Sequence, residues 1–377
     1  MAISFIHTAD WQIGKAFGNI TGDTAALLRA QRIKTIQSIS RLAAERNVDA
    51  VLVAGDVFET NLVTNETIYK LLHAMESFNG PWVLIPGNHD PGEAVSVWQR
   101  IESLGCPDNV HIKLDSTPIP LADGRLVLLS ACLKRKHEFE DLTAVWDSIS
   151  TNPDCVRVGL AHGSVEGQLP SVGEETNPIA ADRDVKAQLD YLALGDWHGT
   201  VQISDRCWYS GTPEPDRFKD NDAGNVLLVT IAGHRATPTV ERMRVANYIW
   251  LSLTVQINNN DDLAALEAKF TSLGEPFDQH VVSIKINGVI DFGLLEQVDR
   301  LLSRWRGRFT WLGDDRSLLI AQPTDADLDR VDTGGIVRVA MERLRNIHSD
   351  ASHPSNNYAV SALQLLYQIH TAEVTEK

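Results

Sequence analysis

The chain has 377 residues, 43% hydrophobic and 22% charged, with a formal net charge of −16. That length exceeds what one hydrophobic core usually supports, so a large domain with a smaller one is expected, and no run of about 18 apolar residues is present to span a bilayer. Cys106, Cys132, Cys155 and Cys207 lie far apart with no C-x-x-C pair, which argues against a zinc ribbon or a redox motif. The acidic excess disfavours a protein that coats nucleic acid unaided, because phosphate binding is largely electrostatic. The start, MAISFIHTAD, has neither the basic residues nor the apolar stretch of a secretory signal, so a cytoplasmic location is the expectation.

In chain order, a short apolar strand, ISFIHT, is followed by a helix over 28–47, where Ile33, Ile36, Ile39, Leu42 and Ala43 recur at helical spacing. Strand DAVLVAG, a helix over 64–78 and strand WVLIPG come next. This is a βαβ layout, in which ligands sit beyond the carboxyl ends of strands. The following stretch is richer in short apolar runs, RLVLLSA, CVRVGLAH, LDYLALGD, CWYSGT and NVLLVTI, and predicts a mixed sheet layered with helices. From about residue 246 the pattern restarts as strand WLSLTVQI, a helix over 260–273, strand HVVSIKI, a helix over 292–305, then strands FTWLGD and SLLIAQ. Two closing helices are expected over 334–347 and 357–370. The expected domains are therefore 1–245, a small α+β domain over 246–322, and a helical segment over 323–377.

The polar residues at the ends of the early strands are Asp10 and Gln12, Asp56 and Glu59, Asn88 and His89, His162, and Asp196 and His198, each group flanked by glycine. Asp10-x-Gln12 and Asp196-x-His198 place paired side chains on one side of an extended segment. Carboxylate, amide and imidazole donors of this mixture suit hard or borderline divalent ions. Two such ions roughly 3.5–4 Å apart can clamp a phosphoester and bring the pKa of a water towards about 7. Hydrolysis of a phosphate ester is the implied reaction.

HTADWQIG, AGDVFE, PGNHD, LAHG and ALGDWHG, in this order, resemble the five motifs of the calcineurin-like metallophosphoesterases, and with YSGTPEPDRF they are most similar to the DNA-repair exonuclease branch typified by SbcD. The resemblance implies an α-β-β-α sandwich with a small α+β capping domain and C-terminal helices. It implies that Asp10, Asp56 and His198 hold a first metal, that Asp56 bridges to a second held by Asn88 and His162, and that His89 assists the leaving oxygen. Gln12 and Asp196 stand where the family has histidine ligands. Both keep an oxygen donor, which shifts the expectation to two ions of Mn²⁺, or Mg²⁺, over Zn²⁺. The implied partners are DNA and an SMC-like coiled-coil ATPase of the SbcC type, with the chain acting as a homodimer in that complex.

Beside these, Glu59 is expected to orient His89, with a solvated or capping glutamate as the alternative. His7 reads as a structural histidine, and Trp197 as packing beneath the site or as a stacking platform for a base. Arg300, Arg304, Arg306 and Arg308 interleave with Trp305, Phe309 and Trp311, which fits either a nucleic-acid surface or a small-domain core. Lys134-Arg135-Lys136 is a second basic cluster. The apolar stripes Ile336, Ala340, Leu344, Ile347 and Val360, Leu363, Leu366, Tyr367 suit packing on the body or docking of a partner. Two other functions remain open: a phosphatase or phosphodiesterase on a small nucleotide or lipid, and a degenerate site kept as a DNA- or protein-binding scaffold.

Overall fold

The computed structural model describes residues 2–20, 22–168, 177–321, 335–356, 358–359, 361–363 and 365–366. The chain divides into two compact units, Met1–Ile249 and Trp250–Lys377. No helix among the described residues is long and apolar enough to cross a membrane.

The first unit begins β1 (Ile3–Thr8), α1 (Thr24–Arg46), β2 (Ala50–Val53), α2 (Asn65–Met75), β3 (Trp82–Leu84), α3 (Val97–Gly105) and β4 (Val110–Ile112). It continues with β5 (Ile119–Leu121), β6 (Leu126–Ala131), β7 (Val156–His162), the short pair β8 (Ser164–Val165) and β9 (Pro178–Ile179), α4 (Arg183–Lys186), β10 (Tyr191–Gly195), β11 (Val201–Gln202), β12 (Cys207–Tyr209), β13 (Asn225–Ile231) and β14 (Thr239–Arg244). Local chemistry sets the boundaries. The side chain of Thr64 accepts from Thr67 N to open α2, and Asn47, in the left-handed region at φ 48°, closes α1 by donating its N–H to the carbonyls of Ala43 and Ala44.

One sheet runs β14-β13-β1-β2-β3-β4, parallel from β1 to β4; the other runs β11-β12-β10-β7-β6-β5, parallel from β6 through β7 and β10 to β12. Strand alternation gives each sheet an inner face. Phe5, Leu52 and Val83 meet Leu128, Val158 and Tyr191 between the sheets. The outer face of the first sheet packs Val51, Val53 and Trp82 on α1 and α2 through Ile36, Ile39, Leu71 and Met75. The second sheet buries Trp146 and Leu192 on its far side. The result is the α-β-β-α sandwich of mixed sheets that the motifs imply.

The second unit contains β15 (Ile249–Gln256), α5 (Asn260–Ser272), β16 (His280–Ile290), α6 (Phe292–Arg306), β17 (Trp311–Ala321) and α7 (Ile336–Ser349), with sheet order β15-β16-β17. The two strands expected over 309–322 are one, because β17 pairs in parallel with β16 along its length and a register shift between Lys285 and Asn287 absorbs the polar stretch at Asp314–Arg316. Phe270, Phe277, Trp305 and Phe309 form its aromatic core. Arg300, Arg304, Arg306 and Arg308 each face an acid: Glu296, Glu267, Asp314 and Glu275. The inner stripe of α7, through Met341 and Leu344, packs with Phe292, Ala321 and Leu363. Of the helix expected over 357–370, residues 358–359, 361–363 and 365–366 are helical and the others lie outside the described residues.

Candidate active site

The carboxyl ends of β1, β2, β3, β7 and β10 open on one edge of the sandwich, and the sequence-predicted residues follow them. The loop after β1 is tied to the loop after β2 by Asp10 N to Gly55 O (3.1 Å) and Gln12 N to Asp56 O (2.8 Å). Asp10, Gln12, Asp56 and Asp196 all hold positive φ, at 53°, 42°, 52° and 104°. Non-glycine residues seldom occupy that region, and such strain concentrates where a structure must aim a side chain. Glycine is required at Gly55 and Gly87: a Cβ at the first would strike the His162 ring, and at the second the Asp56 carboxylate.

Asp10, Asp56 and His162 each offer a ligand atom, and the three atoms lie within 4.8 Å of one another. Asp10 also accepts from Asp196 N at 3.1 Å, and Asp56 from His89 N at 2.9 Å. His162 Nδ1 lies 2.8 Å from the carbonyl of Ala54, which can only accept, so Nδ1 carries the hydrogen. Its Nε2, buried and without a hydrogen-bond partner, is turned to Asp56 Oδ1 at 3.5 Å and Asp196 Oδ1 at 3.7 Å. Asn88 donates to Asp196 Oδ1 at 3.3 Å, leaving its own Oδ1 buried and unpartnered. Unsatisfied buried acceptors are costly and rare. Two of them among three carboxylates, with the imidazole oriented by a backbone carbonyl, fit a bound cation.

The electrostatics agree. Burial pushes the Asp10 carboxyl up to about 6; Asp56 and Asp196 add to this, against the pull of His198 and His162. Asp196 is raised by burial and by Asp56. For His162, burial works downward, but Asp56, Asp196 and Asp10 outweigh it and carry the imidazole up to about 9. A field that holds a proton on Nε2 also favours a cation in its place.

The other half of the constellation is built differently. The Gln12 side chain presents Oε1 to Lys15 Nζ at 3.0 Å and its amide nitrogen to His198 Nε2 at 3.2 Å. Lys15 also reaches Asp216 Oδ2 at 3.1 Å and Glu59 Oε2 at 3.4 Å. Asp216 faces His198 Nδ1 at 3.2 Å and Arg217 Nε at 3.0 Å. Burial alone would raise Asp216, but the hydrogen bond and charge of His198, with Arg217, hold it well below the usual carboxylate range. His89 hydrogen-bonds through Nδ1 to the carbonyl of Glu59 at 3.1 Å, while the Glu59 carboxylate stands 4.0 Å from that nitrogen. The backbone of residue 59 thus orients the ring, and its carboxylate engages Lys15. His89 Nε2, on a side chain 35% exposed, is left as the nitrogen free to exchange a proton, 4.0 Å from Asp56 Oδ2.

Several supporting residues escaped sequence reasoning. The buried Arg32 guanidinium of α1 donates to the carbonyls of Trp11, Asp10 and Glu214 and to Thr212 Oγ1, stitching the β1 loop to YSGTPEPDRF. Glu214 is fixed in turn by Thr35 and by the N–H groups of Asn247 and Tyr248. Asp90, buried within PGNHD, accepts from Phe58 N and Gly87 N and so shapes the loop that carries Asn88. Its carboxyl is pushed up to about 7 by burial and by Asp56. Glu214 and Asp90 had a legible signal in lying within the motif segments; Arg32 and Lys15 carried none. His7 has both ring nitrogens partnered, by Tyr191 Oη and Leu194 O. Trp197 packs on the outer core of the second sheet, with Lys219 Nζ 4.3 Å from its ring centre.

The family model for the calcineurin-like phosphoesterases matches residues 3–238. The chain is 22% identical to the DNA double-strand break repair protein Mre11 of Methanosarcina acetivorans over 310 residues, which cover 78% of this chain and 48% of that protein. It is 20% identical to the protein of the same name from Methanosarcina mazei over 308 residues, 78% of this chain and 47% of the relative. The chain therefore spans about half the length of these curated relatives. Since the family match covers the greater part of the chain, and the same sandwich edge gathers its acidic and imidazole donors, the chain belongs to the calcineurin-like phosphoesterase family.

Proposed function

We propose that the chain is a metal-dependent phosphodiesterase that cleaves DNA, a nuclease subunit in the manner of the SbcD-like branch. In this reading it works with an SMC-like coiled-coil ATPase, as a homodimer, in the cytoplasm. The observation that carries the reading is the convergence of Asp10, Asp56 and His162, with the unpartnered His162 Nε2 turned to Asp56 and Asp196, and with Asn88, its Oδ1 buried and unpartnered, hydrogen-bonded to Asp196. Asp10, Asp56, Asn88, His162 and Asp196 would hold the metal, with Mn²⁺ favoured over Zn²⁺ because four of the five offer oxygen. When bound, divalent ions polarise a phosphoryl oxygen and make water a better nucleophile. The chain's own residues do the rest. His89, with Nδ1 held by the Glu59 carbonyl, keeps Nε2 available to protonate the leaving oxygen.

DNA is favoured over a small ester by the names of the relatives and by a basic loop. Lys134, Arg135 and Lys136 are exposed and carry no acidic partner among the described residues; Phe139 beside them is 78% exposed. This loop is tied to the segments that follow Asn88 and His162 in the chain, by Gly92 N to Leu133 O (2.9 Å) and by Asn177, which bonds Lys136 O and Glu138 and receives Ser164 N. It supplies local positive charge to a chain of net charge −16. With Mn²⁺, the protein is expected to hydrolyse both bis-p-nitrophenyl phosphate and linear duplex DNA. Turnover of the small ester with DNA left uncut would overturn the nuclease reading in favour of a small-substrate phosphodiesterase. Bound metal with neither substrate turned over would favour a scaffold.

A further inference from the structure

The two halves of the constellation differ in how their charge is balanced. Around His162 Nε2, the carboxylates of Asp10, Asp56 and Asp196 converge with no Lys or Arg bonded to any of their carboxylate oxygens among the described residues, the unpartnered Nε2 is turned to Asp56 and Asp196, and Asn88 is hydrogen-bonded to Asp196 with its own Oδ1 buried and unpartnered. On the Gln12 side the positive charge is already present. Lys15 Nζ lies 3.0 Å from Gln12 Oε1, 3.1 Å from Asp216 Oδ2 and 3.4 Å from Glu59 Oε2, and its side chain is only 18% exposed.

That ammonium fixes the Gln12 amide. A Lys Nζ only donates, so the atom facing it must be the amide oxygen, and the NH₂ group is then the one 3.2 Å from His198 Nε2. An NH₂ group cannot accept. It therefore covers the His198 lone pair that a first metal would need, while Oε1, the only donor atom Gln12 could offer to a metal, already accepts from the Lys15 ammonium, which would stand beside any ion bound there. Arg217 adds a second cation, its Nη2 lying 3.0 Å from His198 Nδ1. A divalent ion placed between Gln12 and His198 would meet the repulsion of Lys15 and Arg217 and would have to displace the Gln12–His198 hydrogen bond.

We propose that this chain holds one divalent ion tightly, in the half formed by Asp56, Asn88, His162 and Asp196 with Asp10, and that the Lys15 ammonium occupies electrostatically the place of a second ion. The proposal rests on the metal-dependent reading above and refines its ion count. Lys15 is then a positioning residue: it orients Gln12 and, through Asp216, the charge around His198.

The test is metal stoichiometry on the full chain, stripped of metal, reconstituted with Mn²⁺ and desalted, read by elemental analysis and by electron paramagnetic resonance. The expected result is about one Mn²⁺ per chain with the hyperfine pattern of an isolated ion, and about two, magnetically coupled, in the Gln12→His/Lys15→Ala double variant, since ions roughly 3.5–4 Å apart interact. Lys15→Arg, which keeps the charge, is expected to retain one. Two coupled ions held equally well by the unaltered protein would overturn the inference and leave the metal-dependent reading standing. No ion retained after reconstitution would sink that reading and the inference with it. The wild-type count decides the matter even if the double variant does not fold.

Discussion

His7 shows how a single residue in this sandwich couples protonation to stability. Leu194 O can only accept, so His7 Nε2 carries the hydrogen, and Nδ1 must accept from Tyr191 Oη. Both bonds require a neutral ring in a fully buried place, and burial, only partly offset by the Leu194 hydrogen bond, brings its pKa down from 6.5 to about 3. Because the folded value lies below the unfolded one, the unfolded chain takes up the proton first. The contribution of His7 is complete above about pH 6.5 and is lost progressively as pH falls towards 3. Gln at this position can accept from Tyr191 and donate to Leu194 without titrating. The stability of wild type minus that of His7→Gln should therefore decline steadily on acidification below pH 6.5, measured by urea unfolding of the metal-free proteins. A difference independent of pH would show that His7 does not remain neutral.

At the scale of elements, short parallel strands end in glycine-bounded loops, and those loops do the aiming. The loop over 132–139 is not a motif loop, yet it is anchored between Gly92 and Asn177 and presents Lys134, Arg135 and Lys136 outward. Replacing the three with serine is expected to weaken DNA binding and to lower its salt dependence by about 0.9 in log–log slope for each phosphate the loop no longer neutralises. Hydrolysis of bis-p-nitrophenyl phosphate should be unchanged, because no ligand atom moves. Equal DNA affinity in the variant, measured by fluorescence anisotropy across salt concentrations, would remove this loop from the interface. Legibility follows the same physics. Strand runs such as AVLV and YLALG are buried on both faces and read clearly, so the residues ending them could be named from sequence alone. The edge strand β14, TVERMR, exposes most of its side chains and looks like loop; α3 spans only nine residues and gives little periodicity. What the sequence hid at the site was pairing across distance. Nothing local to Lys15 announces Asp216, and nothing in the spacing of α1 shows that Arg32 turns its guanidinium to the carbonyls of Asp10 and Trp11.

At the scale of the whole molecule, the chain carries separate cores. Three of them draw on residues of Met1–Ile249, between and outside the two large sheets, and two on residues of Trp250–Lys377, around Phe270 and Trp305 and beneath α7. The proposed ion ligands all belong to the first unit. A ligand that binds only the folded state stabilises the unit that holds it, by about 2.7 kcal/mol at a hundredfold excess over Kd. Scanning calorimetry should thus resolve two transitions, and Mn²⁺ should raise the one belonging to the first unit by roughly 5–10 °C while leaving the other in place. Leu302, fully buried in the second unit, assigns them: Leu302→Ala is expected to destabilise that unit by about 2–5 kcal/mol and to lower only the transition that ignores Mn²⁺. A single transition shifted by both treatments would mean that the units fold as one cooperative body.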